Sequence, residues 1–576
     1  MRISRNAVLS TLCFCVAAVF IALPSSAHAQ AKPHSRVLSW PAFVSSFIDT
    51  YFSHRPDLAV MAGRHEFDGR LPNWSKEGIA LHVHFLKEQR AAAEKFGSLN
   101  RAQEFERQYL IAHIDSDLFQ LEVAELPFTN PTYYTSFQGL DPNVYVTREY
   151  APLEKRMAAF VAYLKNVPTA VEQIRGNLRT PMPRTFINVG RTGFGGLAKF
   201  FEKDVPAVFA SVQDPKLQEE FLTANKAAVE SLKALDTWLE LELQHATDNF
   251  AMGADKFREL LRATEMVDIS LDELTRIGQR DLDRNLAALT NACSKLAPGR
   301  SIQDCIRIVQ TNKPAEGPVQ AARDQLGGLK EFLVDQKLVT IPSPEVAKVE
   351  ESLPYMRWNS AYINIPGPYE KGLPAIYYIA PPDPAWTPEE QQEYISSYSE
   401  LLFTSIHEVW PGHFLQFLHS NRSQSRFGQV FVGYAFAEGW AHYTEELMWE
   451  AGLQNDNPAV QTGMLLNALL RNVRFMSTIG LHTGKMTVAD SEKMFREVAF
   501  QDAANARQQA ARGTFDPAYL NYTMGKLMIR KLRDDWCKDR GGREAWRAFH
   551  DEFLSYGGPP IPLIRKAMLR DTKNLF

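Results

Sequence analysis

The sequence predicts a mainly α-helical protein with one small antiparallel sheet or hairpin. Three observations carry that reading. Apolar residues recur at helical spacing through most of the chain. β-rich character is confined to 346–380, where "KVEES", "SAYINI" and "PAIYYIA" are divided by the turn-formers of "PGPYEKGLP". Composition, at 45% hydrophobic and 23% charged residues, is that of a globular chain with ample core. A formal net charge of −4 lacks the basic surplus of a nucleic-acid binder, so no nucleic-acid partner is expected.

At the N-terminus, Arg2 and Arg5 precede an apolar run from Ala7 to Leu23, and "SSAHAQ" then places Ala27 and Ala29 at small-residue cleavage positions. Residues 1–29 therefore read as a secretory signal peptide. The mature chain is expected to be exported, periplasmic or secreted, with no stable membrane anchor after cleavage. Cys13 is a poor lipoprotein cysteine, because the bulky Leu12 precedes it inside the apolar run. Cys13 and Cys15 leave with the signal. Cys293 and Cys305 either close a short disulfide loop or, with Cys537, stay as buried thiols.

Helices are predicted over 76–97, 101–125, 147–176, 214–248, 268–291, 387–420, 430–451, 458–483, 488–510 and 516–538. An N-terminal helical region (30–255) precedes a C-terminal catalytic region (256–576), with a weak boundary near "NFAMGADKF"; one continuous domain over 30–576 is the alternative.

The 387–420 helix has a marked start. Thr387 can cap it, Pro388 sits at the first helical position, and Glu390 completes a capping box. Ile395, Tyr398, Leu402 and Ile406 continue its apolar face, which places His407 and Glu408 after about five turns. The stretch "HEVWPGH" begins like the zinc-binding HExxH, but its second histidine, His413, lies six residues on. In a straight helix that spacing rotates the second ring by about 240° and raises it about 9 Å, too far to share an ion. Pro411 and Gly412 interrupt the helix, one by removing a donor and the other by freeing the backbone. A break there can return His413 to the side of His407.

A third ligand is available in "FAEGWAHYTEELMWEAG", where Glu438, Ala441, His442 and Glu445 share a helix face. Glu438 and His442 compete for the role. Glu438 is preferred because Gly439 beside it admits another backbone. Two histidines and a glutamate leave a coordination site for water on one Zn2+, and Glu408 can accept its proton.

These stretches, "HEVWPGHFLQ" and "EGWAHYTEE", resemble the bacterial domain-of-unknown-function family numbered 885, with its HExxPGHxxQ and EGWAxYxE patterns. Its members are regarded as gluzincin-like zinc metallopeptidases. The resemblance extends to "RHEFDGRLPNWS" at 64–75, "RFMSTIGLH" at 474–482 and "PAYLNYTMGKLMIRKLR" at 517–533. It implies His407, His413 and Glu438 as zinc ligands and Glu408 as general base. It further implies Tyr522 and His482 as catalytic groups that stabilise an oxyanion. Gln416, Glu445 and Arg474 are implied in supporting the metal ligands or binding substrate. Thr478 stands where the family pattern has an aspartate, which unsettles any transfer of substrate. The expected activity is hydrolysis of a peptide bond; a small non-peptide amide, carbamate or ester is the alternative substrate. A non-catalytic binding protein with a degenerate site is the other alternative.

Overall fold

A computed structural model of the chain describes residues 38–576, apart from 136–138, 358 and 572. The signal-peptide segment lies outside the described residues. From Trp40 to Phe576 the chain forms one unit. No helix among the described residues is long and apolar enough to cross a membrane.

The architecture is mainly helical with a single three-stranded sheet. Strands β1 (Ala347–Glu351), β2 (Ala361–Asn364) and β3 (Ala375–Ile379) fall in the three predicted segments, but their order is β1-β3-β2. β2 and β3 are antiparallel, whereas β1 runs parallel to β3, so the sheet is mixed rather than wholly antiparallel. The return from β1 through β2 passes across the sheet before β3 fills the middle.

This small sheet divides two hydrophobic cores. Side chains alternate faces along a strand. On β3, Ala375, Tyr377 and Ile379 join the core built largely from residues beyond 250, and Tyr378 joins the core built largely from residues 40–239. The first core is centred on the long helices Leu271–Leu296, Tyr434–Glu450, Pro458–His482 and Asn521–Cys537. The second packs Leu153–Asn177, Arg184–Lys203 and Pro215–Glu242 around a cluster of phenylalanines. Cys293 and Cys305 are joined by a disulfide that ties the end of Leu271–Leu296 to the helix Ile302–Thr311, and Cys537 is a buried free thiol.

Most predicted helices are present within a few residues. The 387–420 helix is corrected. Its capping box at Thr387 forms, but the helix ends at Tyr394, and Ile395 is extended at ψ 123°. The carbonyl of Ile395 accepts a hydrogen bond from Lys313. A new capping box at Ser397, with Glu400, starts the helix Tyr398–Glu408. His407 and Glu408 thus end an eleven-residue helix rather than a five-turn one. The predicted 488–510 helix is likewise two, Val488–Glu497 and Ala503–Phe515.

Candidate metal centre

The Tyr398–Glu408 helix stops one residue after His407, and a new helix, His413–Ser420, starts on the second histidine. The intervening turn rests on its two interrupting residues. The Trp410–Pro411 peptide is cis. Gly412 donates its N–H to the Ile406 carbonyl at 3.0 Å. A β-carbon at Gly412 would stand 1.8 Å from the His407 carbonyl oxygen, so no larger residue fits. Trp440, on the helix that carries Glu438, donates its indole N–H to the Pro411 carbonyl at 2.9 Å. That bond fastens the turn to the helix supplying the third ligand.

The break brings the two histidines together. Their ring centroids lie 4.8 Å apart, at 88° to one another. His407 Nε2 and His413 Nε2 are each 3.3 Å from Glu438 Oε2. One ligand atom from each of the three residues falls within 4.8 Å of the other two. Glu438 Oε2 is buried and makes no well-directed hydrogen bond, although both imidazoles face it. Two nitrogens and an oxygen converging on a shared point, with the oxygen left without a donor, fit a zinc ion with three protein ligands. The donor set is nitrogen and oxygen, as such a site requires.

The groups around the cluster orient it. His407 Nδ1 lies 2.8 Å from Glu445 Oε1, so its N–H donates there and Nε2 faces Glu438. Glu445 is in turn held by Arg471 at 3.1 Å and by His442 Nδ1 at 3.3 Å. Burial works to lower the His407 pKa, but the Glu438 and Glu445 carboxylates outweigh it and push it up to about 9. Burial likewise works to raise the Glu438 and Glu445 pKa values. The His413 and His407 rings outweigh it at Glu438, as Arg471 and His442 do at Glu445, and both carboxyls lie below their ordinary range. Glu408 is buried beside them, and burial raises its pKa, against the pull of the two histidines.

Glu438 rather than His442 occupies the ligand position. His442 spends Nδ1 on Glu445, and its Nε2 is buried without a partner. Gly439 does admit another backbone: a β-carbon there would meet Gly525 Cα at 2.5 Å, and one at Gly525 would meet the Ala435 carbonyl oxygen at 2.1 Å. The Glu438 helix therefore crosses Asn521–Cys537 at glycine-to-glycine distance, and this crossing carries Tyr522 to the cluster. The Tyr522 ring lies 6.0 Å from the His407 ring, nearly parallel to it. Burial raises the Tyr522 pKa, and Glu438 reinforces it against three arginines, so the phenol keeps its proton.

Arg474 joins the site through Tyr522, with its guanidinium 4.9 Å from the ring centroid. Gln416 and His482 do not. Gln416 donates to Ser420 Oγ at 2.7 Å, within its own helix. His482 stacks on Phe257 at 5.8 Å; its Nε2 is 2.8 Å from the Gly513 carbonyl, and its Nδ1 faces the Met252 N–H at 3.5 Å. Both ring nitrogens are taken by backbone groups, and burial lowers its pKa to about 4. His482 is thus held by two backbone groups and an aromatic ring rather than by the cluster. Thr478 uses its hydroxyl to bond the Pro517 carbonyl at 3.0 Å, tying its helix to the segment that leads into Tyr522. Sequence reasoning missed Arg471 and Trp440. Arg471 stands one helical turn before Arg474, a spacing that puts both on one face.

Among the solved structures that share this fold, two align over most of their length. One is a lipoprotein candidate of unknown function from Shewanella oneidensis, with TM-score 0.74 and 24% identity, covering 92% of this chain and 100% of that one. The other, a lipoprotein candidate from Colwellia psychrerythraea, has TM-score 0.78 and 16% identity, covering 92% of this chain and 98% of that one. No curated protein matches the chain. The pattern of the family described as "bacterial protein of unknown function (DUF885)" matches residues 56–568, which take in every residue of the cluster, and the chain belongs to that family.

Proposed function

We propose that this protein is an exported zinc-dependent hydrolase that cleaves peptide bonds. The observation that carries the reading is the convergence of His407 Nε2, His413 Nε2 and Glu438 Oε2 across a helix break, beside a buried glutamate. Export is supported by the signal-like residues 1–29, by the Cys293–Cys305 disulfide and by the lipoprotein description of two structural relatives.

Zinc held by His407, His413 and Glu438 would supply Lewis acidity toward a carbonyl and toward water. The chain's own groups do the rest. Glu408 follows His407 in the last turn of its helix; in this reading it takes a proton from the attacking water and returns it to the leaving amine. Tyr522, kept protonated, donates its O–H toward the oxygen that gains charge. Glu445 fixes the His407 ring so that Nε2 stays on the metal side.

A small non-peptide amide, carbamate or ester is the second reading. It is favoured by enclosure: His407, Glu408 and Tyr522 are only 5%, 7% and 7% exposed.

Metal analysis and turnover test the proposal together. The purified protein should bind about one equivalent of zinc. The zinc-loaded wild type should hydrolyse members of a peptide library. Glu408→Gln should keep the metal and lose about 10²–10⁴-fold in kcat. Zinc well below about half an equivalent, with no hydrolysis on adding it, leaves the non-catalytic binding protein. An active Glu408→Gln variant removes the assigned general base.

A further inference from the structure

Three arginines surround Tyr522, with guanidinium carbons 4.9 Å (Arg474), 5.8 Å (Arg471) and 6.0 Å (Arg512) from its ring centroid. Two of them are neutralised within the protein. Arg471 pairs with Glu445 at 3.1 Å, and Arg512 pairs with Asp516 at 2.9 Å. Arg474 is not. Its Nε–H donates to the amide oxygen of Gln509 at 2.8 Å, and its other neighbours are the faces of Tyr522 and Tyr519. Among the described residues no carboxylate pairs with it, and both terminal amino groups lack a protein acceptor. The residue is 7% exposed.

A buried guanidinium without a counter-charge is costly, and one beside two other arginines more so. Burial and the neighbouring Arg512 charge both press against its ionised form. Arginine presents a planar fork that matches a carboxylate in two parallel hydrogen bonds. Here the guanidinium packs on the ring of Tyr522, which in turn lies 6.0 Å from that of His407.

We propose that Arg474 receives the C-terminal carboxylate of a peptide substrate, so that the site cleaves close to a free C-terminus. The inference rests on the hydrolase reading above and adds its substrate class. The Tyr522 ring lies 4.9 Å from the Arg474 guanidinium carbon and 6.0 Å from the His407 ring, so Arg474 and His407 are at most about 11 Å apart, within the reach of about three extended residues at ~3.5 Å each. A peptide whose scissile carbonyl sits at the metal cluster thus places its terminal carboxylate on Arg474.

A binding experiment separates this inference from turnover. Zinc-loaded Glu408→Gln protein is mixed with a library of N-acetylated tripeptides, half as free acids and half as C-terminal amides, and the bound fraction is identified by mass spectrometry. Free acids should be enriched about tenfold, which corresponds to roughly 1.4 kcal/mol. The enrichment should vanish in Glu408→Gln/Arg474→Met at unchanged zinc content, which also removes direct carboxylate–zinc contact as its source. Equal retention of acids and amides, or retention of neither, overturns the inference. So does enrichment that survives in the double variant. The acid-against-amide comparison needs no change at 474, so a folding defect in the variant does not spoil it. Zinc binding and wild-type turnover without acid preference overturn the carboxylate site alone. Acid preference without zinc or turnover removes the hydrolase instead.

Discussion

On one side of the sheet, Phe160 stacks on Phe209 at 5.6 Å, Phe221 packs against Phe209 at 5.7 Å, and buried amides bond backbone groups beside two ion pairs, Arg148–Glu370 and Arg55–Asp57, each at 2.7 Å. Asn177 donates to the Trp74 carbonyl at 2.6 Å and Asn225 to the Phe201 carbonyl at 2.8 Å. On the other side the interior is strung with charge. Lys526, 1% exposed, holds Asp281 at 2.7 Å, and Asn472 donates to the same carboxylate at 2.8 Å. Beyond them lie Glu445, Arg471 and His442, and then the His407 cluster. Burying paired charge gains little stability over an apolar core of the same volume. Its concentration in the half that holds the metal cluster therefore points to function. The phenylalanine core keeps the chain folded; the core around the metal cluster also holds reactive groups in place.

The largest expected effect on that contrast comes from breaking one charge pair. Lys526→Met should lower unfolding free energy by up to about 3–5 kcal/mol, because Asp281 then keeps only Arg284, at 2.8 Å, and the Asn472 amide. Phe221→Ala in the other core should cost a similar amount, about 3–5 kcal/mol, through a cavity. The two losses differ in their cure. Adding Asp281→Asn to Lys526→Met should recover most of the loss in urea melts. If it does not, the pair acts through packing, and the two cores are more alike than their chemistry suggests.

A smaller effect separates the helix crossings. Gly439→Ala forces a β-carbon onto Gly525 Cα at 2.5 Å and should cost about 1–3 kcal/mol, along with weaker zinc binding as Glu438 moves. Gly176, near the end of Leu153–Asn177, has nothing within 4 Å of the same atom. Gly176→Ala should be neutral or stabilise by up to about 1 kcal/mol. Equal melting shifts for the two alanines would mean that the close crossing is not what the Glu438 helix depends on.

The sequence revealed the cluster better than the scaffold around it. His407, His413 and Glu438 stood out because metal ligation restricts residue type, and Pro411 and Gly412 announced the turn that unites them. The break after Tyr394 was masked because apolar spacing continues through Ile395 and Tyr398, even though Ser397 and Glu400 spell a second capping box. The parallel pairing of β1 with β3 was invisible for a different reason: local alternation reports a strand's faces but not its neighbour. The surroundings of His482 were illegible because its partners, Phe257, Met252 and the Gly513 carbonyl, lie 31 to 230 residues away in the chain. Two of them are backbone groups that no side-chain pattern announces. Arg474 was legible as a residue, but its lack of a counter-charge emerges only once every nearby acid has been placed.

The last effect, a slope with pH rather than a loss at fixed pH, concerns Glu265, which caps the helix carrying Glu438. Its Oε1 accepts from the Ala435 N–H at 3.1 Å and from the Asn521 amide at 2.8 Å, while Oε2 is buried without a partner. Burial pushes this carboxyl up to about 8, against both hydrogen bonds. The folded state thus holds a proton that the unfolded chain releases near its ordinary value of 4.5. The stabilising contribution is complete below that ordinary value and is lost as pH rises toward about 8, at no more than about 1.4 kcal/mol per pH unit. Glu265→Gln keeps the acceptor for both donors and carries no titrating proton. It should be nearly neutral in stability at pH 5 and should flatten the decline between about pH 5 and 8. Urea melts across that range check the slope, with Phe221→Ala as a variant from the other core that should keep it. An unchanged slope in Glu265→Gln would mean that the pH dependence arises elsewhere in the charged core and that Glu265 caps its helix as an anion.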